Sequence, residues 1–268
     1  MSDTGRNPDN PTPTREELSA RLERAVEIAE SCGKTASRYF GTALDVELKD
    51  DASPVTVADR ETEEAVKKAL HATFPGEPVT GEESGSETAG GSRWRWIVDP
   101  IDGTRAFVAG VPLYTVLIAA MYDGSPIIGV IHSPETGETV AAADGQGCYL
   151  DGVRTAIRDC TRLAEAVINV TDFADFARRC PTLSRNLIPA VSAARGWGDG
   201  YGYLLLAAGR TDAMLDPIMN PWDVAPLIPI VEQAGGVITA LDGRSTGPLP
   251  KSAVAAGEVL HGAILALS

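Results

Sequence analysis

The chain is organised around one stretch of sequence, Trp94-Arg95-Trp96-Ile97-Val98-Asp99-Pro100-Ile101-Asp102-Gly103-Thr104. Its first five residues are largely apolar and aromatic, which predicts a strand. The Asp-Pro and Asp-Gly pairs that follow predict a tight turn with exposed backbone N–H groups. Two carboxylates, free N–H groups and a hydroxyl at one strand end would suit a phosphate held on hard cations.

Length, composition and charge limit what this stretch can belong to. The chain has 268 residues, 44% of them hydrophobic, and a formal net charge of −14 at pH 7. These values predict a globular protein with a sizeable core, built as one large domain or as two closely packed halves. The negative charge argues against a binder of nucleic acid or of membrane surfaces, because both are polyanions. An anionic substrate would need metal ions to offset the repulsion.

The expected compartment is the cytoplasm. The four cysteines are widely spaced and form no Cys-x-x-Cys pair, which predicts reduced thiols. The sequence shows no signal-peptide pattern, and no apolar run approaches the roughly 20 residues of a membrane span. We therefore expect a soluble, cytoplasmic protein without a membrane partner.

Local patterns predict a leader followed by two halves. Residues 1–14 are polar and rich in proline, which predicts a disordered leader. Helical spacing of apolar residues predicts helices from Arg15 to about Phe40 and from Ala58 to Phe74. The short strands and turns that follow, up to about residue 150, predict an antiparallel sheet. Helices and strands then alternate, which predicts a mixed sheet. The predicted organisation is α+β, with an N-terminal half over 15–155 and a C-terminal half over 156–268.

Three further acidic residues stand at the ends of predicted elements: Asp59, Glu82 and Asp223. Mg²⁺ takes oxygen ligands and rarely fills its coordination sphere from protein alone, so acids on loops are its candidate ligands. Each of these residues also has an ordinary explanation. Asp59 could be an acid in a first helical turn, Glu82 part of a charged surface loop, and Asp223 a helix N-cap.

Three motifs, in this order and at this spacing, resemble the inositol monophosphatase superfamily of Mg²⁺-dependent, lithium-sensitive phosphatases. They are Gly81-Glu82-Glu83-Ser84, the segment from Trp96 to Thr104, and Pro221-Trp222-Asp223-Val224-Ala225. The likeness runs from about Arg15 to the C-terminus. It implies the layered αβαβα sandwich shared with fructose-1,6-bisphosphatases, a small phosphorylated substrate, and commonly a homodimer.

The resemblance also implies a set of ligands for two or three Mg²⁺ ions per site. Glu82, Asp99 and the Ile101 carbonyl would hold a first ion. Asp99, Asp102 and Asp223 would hold a second, and Glu82 would touch a third through water. Two cations in such a site clamp the attacking and leaving oxygens of an in-line displacement.

The same resemblance assigns the remaining catalytic and phosphate-binding groups. Thr104 would orient the attacking water, with Asp59 as its hydrogen-bond partner and proton acceptor. The amides of Gly103 and Thr104 would bind phosphate oxygens. Lys49, which matches a lysine of the family, would add distant positive charge, and the alternative is a solvated surface lysine.

Two later segments, 195–203 and 212–223, resemble the histidinol-phosphatase branch of the superfamily. They carry Asp199 and Asp216 where inositol-cleaving relatives usually have Thr or Ser and Glu. Carboxylates would bind the ammonium and imidazole of histidinol phosphate by charge-assisted hydrogen bonds, which a neutral polyol cannot match. Asp223 is also expected to bind substrate. Arg195 could contact the substrate, a neighbouring subunit or a surface acid.

The favoured function is therefore hydrolysis of histidinol phosphate, a step of histidine biosynthesis. An inositol-1-monophosphatase or a generalist sugar-phosphate phosphatase is the main alternative. An inactive regulatory homologue is a second alternative, although loss of catalysis usually removes ligands and every expected acid is present.

Overall fold

The structure is a computed structural model that describes residues 12–49, 54–88, 91–244 and 248–268. Of the predicted leader, residues 1–11 lie outside the described residues. Thr14, its last residue, is the N-cap of the first helix, and its Oγ1 accepts a hydrogen bond from the Glu17 N–H at 3.1 Å.

Eight α-helices span the described residues. In chain order they are α1 (Arg15–Ser37), α2 (Val57–Thr73), α3 (Thr104–Val108), α4 (Phe173–Arg179), α5 (Pro181–Leu187), α6 (Asp199–Ala207), α7 (Pro221–Gln233) and α8 (Glu258–Leu265). Two 3₁₀ turns occur at Leu163–Glu165 and Ile188–Ala190.

Fifteen short or medium strands accompany these helices in the described ranges. They are β1 (Glu47–Leu48), β2 (Pro54–Val55), β3 (Val79–Gly81), β4 (Gly85–Ser86), β5 (Trp94–Asp102), β6 (Thr115–Tyr122), β7 (Ser125–Ser133), β8 (Glu138–Ala143), β9 (Gly147–Leu150), β10 (Val153–Thr155), β11 (Val167–Val170), β12 (Ala193–Arg195), β13 (Ala213–Asp216), β14 (Val237–Thr239) and β15 (Ala253–Ala256).

The helices and the two large sheets stack in five layers, so the predicted αβαβα sandwich is confirmed. Helices α1 and α2 cover one face of an eight-stranded sheet, and α6 and α7 cover its other face. The same two helices pack on a five-stranded sheet, whose far face is covered by α4, α5 and α8. Each sheet thus buries both faces, which explains why Ile118, Ile128 and Ile131 are all fully buried.

The eight-stranded sheet has the order β10-β9-β8-β7-β6-β5-β3-β4. Its strands from β5 to β10 form the predicted antiparallel meander. The prediction was wrong at the other end, because β3 pairs with β5 in parallel. A parallel pair needs a crossover connection rather than a tight turn, and the chain between β3 and β5 contains the short strand β4. This parallel pair brings the Glu82 loop to the same sheet end as Asp99.

The five-stranded sheet has the order β12-β11-β13-β15-β14 and is mixed, as predicted. Strand β11 lies parallel to both of its neighbours, whereas β15 runs antiparallel to β13 and β14. The eight-stranded sheet uses residues up to Thr155, and the five-stranded sheet begins at Val167. A division into two halves near residue 155 stays a prediction.

The helix predictions follow the observed bounds closely for α1 and α2, which have strong amphipathic patterns. Helix α1 ends at Ser37, three residues before the predicted end, and α2 begins one residue early. In the part of the chain that the structure describes, no helix has the length and hydropathy needed to cross a membrane.

Candidate metal centre and active site

The C-terminal end of β5 shapes the site through an irregularity in its pairing with β6. Asp99 pairs with Leu117 and Asp102 with Thr115, and the register shifts between these two pairs. The Ile101 N–H donates to Asp99 Oδ1 at 3.1 Å, which folds the backbone back toward the first carboxylate. Gly103 then has a φ of +90°, a left-handed conformation that glycine adopts at least cost, and α3 begins at Thr104.

Three carboxylates converge at this strand end. One oxygen from each of Asp99, Asp102 and Asp223 lies within 4.8 Å of the others. Asp223 reaches the group from the first turn of α7, where its Oδ2 also accepts the Asn220 N–H at 2.7 Å. Asp223 is therefore not the N-cap of α7, because Asn220 holds that position; Asp223 is the third helical residue, and its carboxylate shares a capping box with Asn220 while facing Asp99.

Burial and mutual repulsion raise the pKa of each of these acids. Burial is the largest cause of the raised pKa of Asp99, and the charges of Glu82, Asp102 and Asp223 add to it. The pKa of Asp102 rises for the same reason, and the charges of Asp199 and Asp223 add to the effect of burial. Burial raises the pKa of Asp223 to about 7. Acids held this close without a cation keep protons that exposed acids would release.

The donor set fits a hard divalent cation. The donors that converge here are the carboxylate oxygens of Asp99, Asp102 and Asp223, and among the described residues no thiol or imidazole belongs to the cluster. Mg²⁺ prefers such ligands, whereas zinc sites usually use sulfur or nitrogen. A cation here would also relieve the repulsion that raises the pKa values of the three acids.

Glu82 lies beside this group but outside the three-acid cluster. Its charge and a side-chain hydrogen bond help to raise the pKa of Asp99. One of its oxygens, Oε1, accepts from Lys49 Nζ at 2.8 Å, and the same ammonium donates to Glu83 at 2.5 Å. Lys49 is therefore neither distant nor a solvated surface lysine, because it is ion-paired with the loop that carries Glu82.

Asp59 and Thr104 lie close together at the turn that follows β5. Asp59 is 1% exposed and sits at the third position of α2, where its Oδ2 accepts from both the N–H and the hydroxyl of Thr56 at 2.7 Å. Its other oxygen, Oδ1, lies 3.3 Å from Thr104 Oγ1. Burial raises the pKa of Asp59, and the Thr56 hydrogen bonds partly offset the rise. Asp59 thus lies in the first turn of α2 and at the same time beside the Thr104 hydroxyl.

Asp199 and Asp216 approach the turn from the second half of the chain. Asp199 opens α6 with a φ of +53°, and its N–H donates to Thr171 Oγ1 at 3.0 Å. A Cβ atom on Gly103 would lie 3.1 Å from Asp199 Oδ2, so the missing side chain at Gly103 leaves room for this carboxylate. Burial raises the pKa of Asp199 to about 6 and that of Asp216 to about 7.

A cleft of about 720 Å³ opens beside these residues. Its walls include Gly103, Thr104, Asp199 and Asp216. The cleft therefore extends from the turn after β5 to the end of β13. Sequence reasoning did not identify the other polar lining residues: Arg105, Thr171, Asp172, Asp175, Arg178 and Arg179. Arg105 was detectable as the neighbour of Thr104, and its charge lowers the pKa of Asp199 against the effect of burial.

Arg195 is not among the residues that line this cleft. It is exposed at the end of β12, where Nη1 donates to the Ala194 carbonyl oxygen at 2.9 Å. Its guanidinium lies 6.0 Å from the centre of the Trp197 ring. Within this chain, the structure does not bring Arg195 together with the other predicted substrate-binding residues.

Comparisons with known proteins agree on one protein family. Residues 17–268 match the inositol monophosphatase family. The chain is 40% identical to a histidinol-phosphatase of Chlorobaculum parvum over 85% of this chain and 89% of that protein. It is 38% identical to the histidinol-phosphatase of Mycobacterium tuberculosis over 86% and 90% of the two chains. The solved structure of an IMPase from Thermotoga maritima superposes with a TM-score of 0.85 at 27% identity, covering 92% of this chain and 96% of that one.

Proposed function

The chain belongs to the inositol monophosphatase family, and on that premise we propose that it is a Mg²⁺-dependent phosphatase acting on histidinol phosphate. One observation carries the proposal. The convergent acids Asp99, Asp102 and Asp223 lie next to the Asp59–Thr104 pair, and Gly103 and Thr104 form part of a cleft that also contains Asp199 and Asp216. This arrangement supports a phosphate site next to a site for the cationic part of the leaving group.

The acids at the end of β5 are proposed to hold two or three Mg²⁺ ions. Glu82, Asp99 and the Ile101 carbonyl form one ligand set, and Asp99, Asp102 and Asp223 form the other. When bound, Mg²⁺ supplies positive charge that neutralises the phosphate and lowers the pKa of water. The protein contributes fixed positions for these oxygens, since Ile101 and Asn220 donate backbone hydrogen bonds to Asp99 and Asp223.

Thr104 and Asp59 are proposed to remove the proton of the attacking water. The Thr104 hydroxyl can donate to Asp59 Oδ1 while its oxygen accepts a hydrogen from water. Burial makes Asp59 a stronger base than an exposed aspartate. The water oxygen then bonds to phosphorus as the ester P–O bond breaks, and the leaving alcohol takes up a proton. The amides of Gly103 and Thr104 are proposed to bind phosphate oxygens.

Asp199 and Asp216 are proposed to recognise the leaving group, together with Asp223. Histidinol phosphate carries an ammonium group, and carboxylates in a cleft bind such a cation more strongly than a neutral polyol. Asp216 is buried and Asp199 is half-buried, so an unpaired charge on either one is costly and a cationic ligand relieves that cost. Binding of a cation would favour the ionised form of both side chains.

Inositol-1-phosphate is the second candidate substrate, because the IMPase of Thermotoga maritima superposes along nearly the whole chain. Its hydroxyl groups can also hydrogen-bond to Asp199 and Asp216, but without the added strength of a bond from a charged donor. An inactive regulatory role is disfavoured by the presence of all the expected acids at the end of β5.

The proposed setting is a cytoplasmic homodimer that serves histidine biosynthesis. The family resemblance supports the dimer, and the four cysteines are free thiols, as expected in a reducing compartment. Light scattering coupled to size-exclusion chromatography of the purified chain tests the dimer directly.

A single comparison of substrates tests the proposed function. Released phosphate is measured with Mg²⁺ for histidinol phosphate, inositol 1-phosphate, 3′-phosphoadenosine phosphate and fructose 1,6-bisphosphate at equal concentrations. We expect the highest kcat/KM for histidinol phosphate and no turnover after EDTA treatment. A higher kcat/KM for any of the other three esters would reject histidinol phosphate as the substrate. Full activity in EDTA would reject the metal dependence.

A further inference from the structure

Glu63 is a buried acid whose carboxylate holds the loop that carries Glu82. It lies on α2 and is 2% exposed. Its Oε2 accepts the Glu83 N–H at 2.7 Å, and its Oε1 accepts the Ser84 N–H at 2.9 Å. Each of the two carboxylate oxygens therefore accepts a hydrogen bond from one of the two consecutive backbone N–H groups directly after Glu82. Hydrogen bonds to a charged acceptor are stronger than neutral ones, so this contact fixes the loop firmly.

Gly81 leaves the space that this contact needs. A Cβ atom on Gly81 would lie 2.3 Å from the Glu63 Cδ atom and 2.4 Å from its Oε1. With the Glu63 carboxylate in this position no Cβ atom fits at residue 81, so a larger residue there would have to displace the carboxylate. The requirement for glycine is here one of space, because Gly81 is not among the residues with a positive φ.

One face of α2 contacts both Thr104 and the loop that carries Glu82. Asp59, Glu63 and Lys67 are spaced four residues apart and so lie on one side of the helix. Asp59 contacts Thr104, Glu63 binds the backbone after Glu82, and Lys67 donates to the Ser84 hydroxyl at 2.8 Å. A rigid helix thus sets the spacing between the proposed proton acceptor and the loop with the proposed metal ligand.

We propose that Glu63 is a positioning residue for Mg²⁺ binding, acting through the backbone of residues 82–84 on the side chain of Glu82. The inference rests on the proposed function, since it assumes that Glu82 is a metal ligand. Glu63 itself does not belong to the cluster of Asp99, Asp102 and Asp223. Its role is to hold Glu82 beside Asp99 against the pull of Lys49, whose ammonium lies 2.8 Å from Glu82 Oε1.

The variant Glu63→Gln tests this role with the smallest change of shape. Glutamine keeps one acceptor oxygen, but its NH₂ group faces one of the two backbone N–H donors and cannot accept from it. Loss of a group that orients a metal ligand typically weakens metal affinity by about 10- to 100-fold. We expect Mg²⁺ binding to weaken by at least about 10-fold in calorimetric titrations of the purified full-length chain without substrate. At saturating Mg²⁺, kcat should recover to within about three-fold of the wild-type value, because no reacting group has changed.

Glu64→Gln is the matched control, because Glu64 is the next residue on α2 and is exposed. It removes the same charge without touching the loop and should leave Mg²⁺ affinity unchanged. Gly81→Ala is a second test that keeps Glu63 but forces its carboxylate away from the loop. It should weaken Mg²⁺ binding in the same direction. Thermal melting in EDTA shows which variants are folded before titration.

The outcomes separate this inference from the proposed function. Equal Mg²⁺ affinity for the wild type and for folded Glu63→Gln would overturn the positioning role and leave the proposed function standing. Failure of the wild-type chain to bind Mg²⁺ would overturn both. Weak binding by Glu63→Gln and Gly81→Ala with normal binding by Glu64→Gln would support the proposal. If neither Glu63→Gln nor Gly81→Ala folds while Glu64→Gln does, Glu63 is required for the fold itself and the specific role in Mg²⁺ binding is rejected.

Discussion

The Thr104 hydroxyl oxygen lies 3.3 Å from Asp59 Oδ1 and 3.0 Å from the Ile101 carbonyl oxygen. A hydroxyl has one proton, so Thr104 can donate fully to only one of these acceptors at a time. Donation to Asp59 leaves the Ile101 carbonyl free for another partner, such as a cation. The geometry therefore links the proposed proton acceptor on α2 to a proposed metal ligand at the end of β5.

Asp59→Asn should lower kcat by about 100-fold or more, the usual range for loss of a general base. Asparagine can accept from Thr104, but its amide does not take up a proton at neutral pH. Phosphate release at saturating Mg²⁺ and substrate measures the effect. Thr104→Ser is the matched control, because it keeps the hydroxyl and should retain most activity. A kcat for Asp59→Asn close to that of the wild type would reject the proton-acceptor role.

Asp99→Asn should remove activity while leaving the fold intact. Asp99 is 2% exposed among other acids, so removing its charge relieves repulsion in the metal-free protein. We expect turnover to fall by at least about 100-fold, more than the loss of a group that only orients a ligand. The melting temperature in EDTA should stay constant or rise. Substantial activity with Mg²⁺ would contradict the assignment of Asp99 as a ligand.

Asp199→Asn should lower kcat/KM for histidinol phosphate more than it lowers kcat/KM for an ester without an ammonium group. Asparagine tolerates the φ of +53° at this position, so the backbone should be preserved. Loss of a charge-assisted hydrogen bond costs about 1.5–3 kcal/mol, or a fall in kcat/KM of about 10- to 100-fold. Glycerol phosphate provides the comparison, because it lacks an ammonium group. Equal losses on the two esters would mean that Asp199 does not recognise the leaving group's charge, and Asp216→Asn repeats the test at the end of β13.

Arg195→Ala should change kcat/KM by less than about two-fold if the active site is complete within one subunit. Arg195 is exposed and hydrogen-bonds to the adjacent Ala194 carbonyl rather than lining the cleft. Steady-state kinetics with histidinol phosphate and measurement of the oligomeric state are made on the same preparation. A large loss of activity together with loss of the oligomer would place Arg195 at a subunit interface that supports the site.

Metal-free protein should lose stability as the pH rises from about 4 to about 7, and the loss should level off above that. Burial raises the folded-state pKa of Asp216 and Asp223 to about 7, whereas an unfolded aspartate has a pKa of about 3.9. Between these values the folded chain keeps protons that the unfolded chain has released, so the free energy of unfolding falls with rising pH. Thermal melts in EDTA across this range measure the effect.

Mg²⁺ should restore more stability at pH 8 than at pH 5, since it binds the ionised carboxylates. Asp216→Asn provides the control for the metal-free series, because it should flatten part of the pH dependence. A melting temperature in EDTA that is constant or rises toward pH 8 would contradict the raised pKa values.

The predictable parts of the fold are those with local signals. Helices α1 and α2 were predicted because their apolar residues recur with helical spacing over 23 and 17 residues. Strand β3 was not predicted, because three residues are too few to show a periodicity. Its parallel pairing with β5 was not predicted either, because a parallel partner lies beyond a crossover connection. Helix α8 and strand β15 were missed for a related reason. Their small and apolar residues, such as Ala253 and Ala256, do not distinguish strand from helix.

The candidate site was predictable where acids stand next to turn residues, as at Asp99, Asp102 and Asp223. Glu63 was not identified, because it lies in the acidic run Glu61-Thr62-Glu63-Glu64 and looks like part of a solvated helix face. Its spacing of four residues from Asp59 was the available signal. Its function depends on the backbone of residues 83 and 84, which a sequence does not show.

Helix α7 comes from the later part of the chain, yet it packs on β7 and β6 of the eight-stranded sheet and delivers Asp223 to the end of β5. A fragment that stops near residue 155 would leave the face lined by Leu117 and Ile131 without its cover. Such a fragment should aggregate when expressed alone. Co-expression with the remaining segment should rescue it, and only the reassembled pair would have a complete acid cluster.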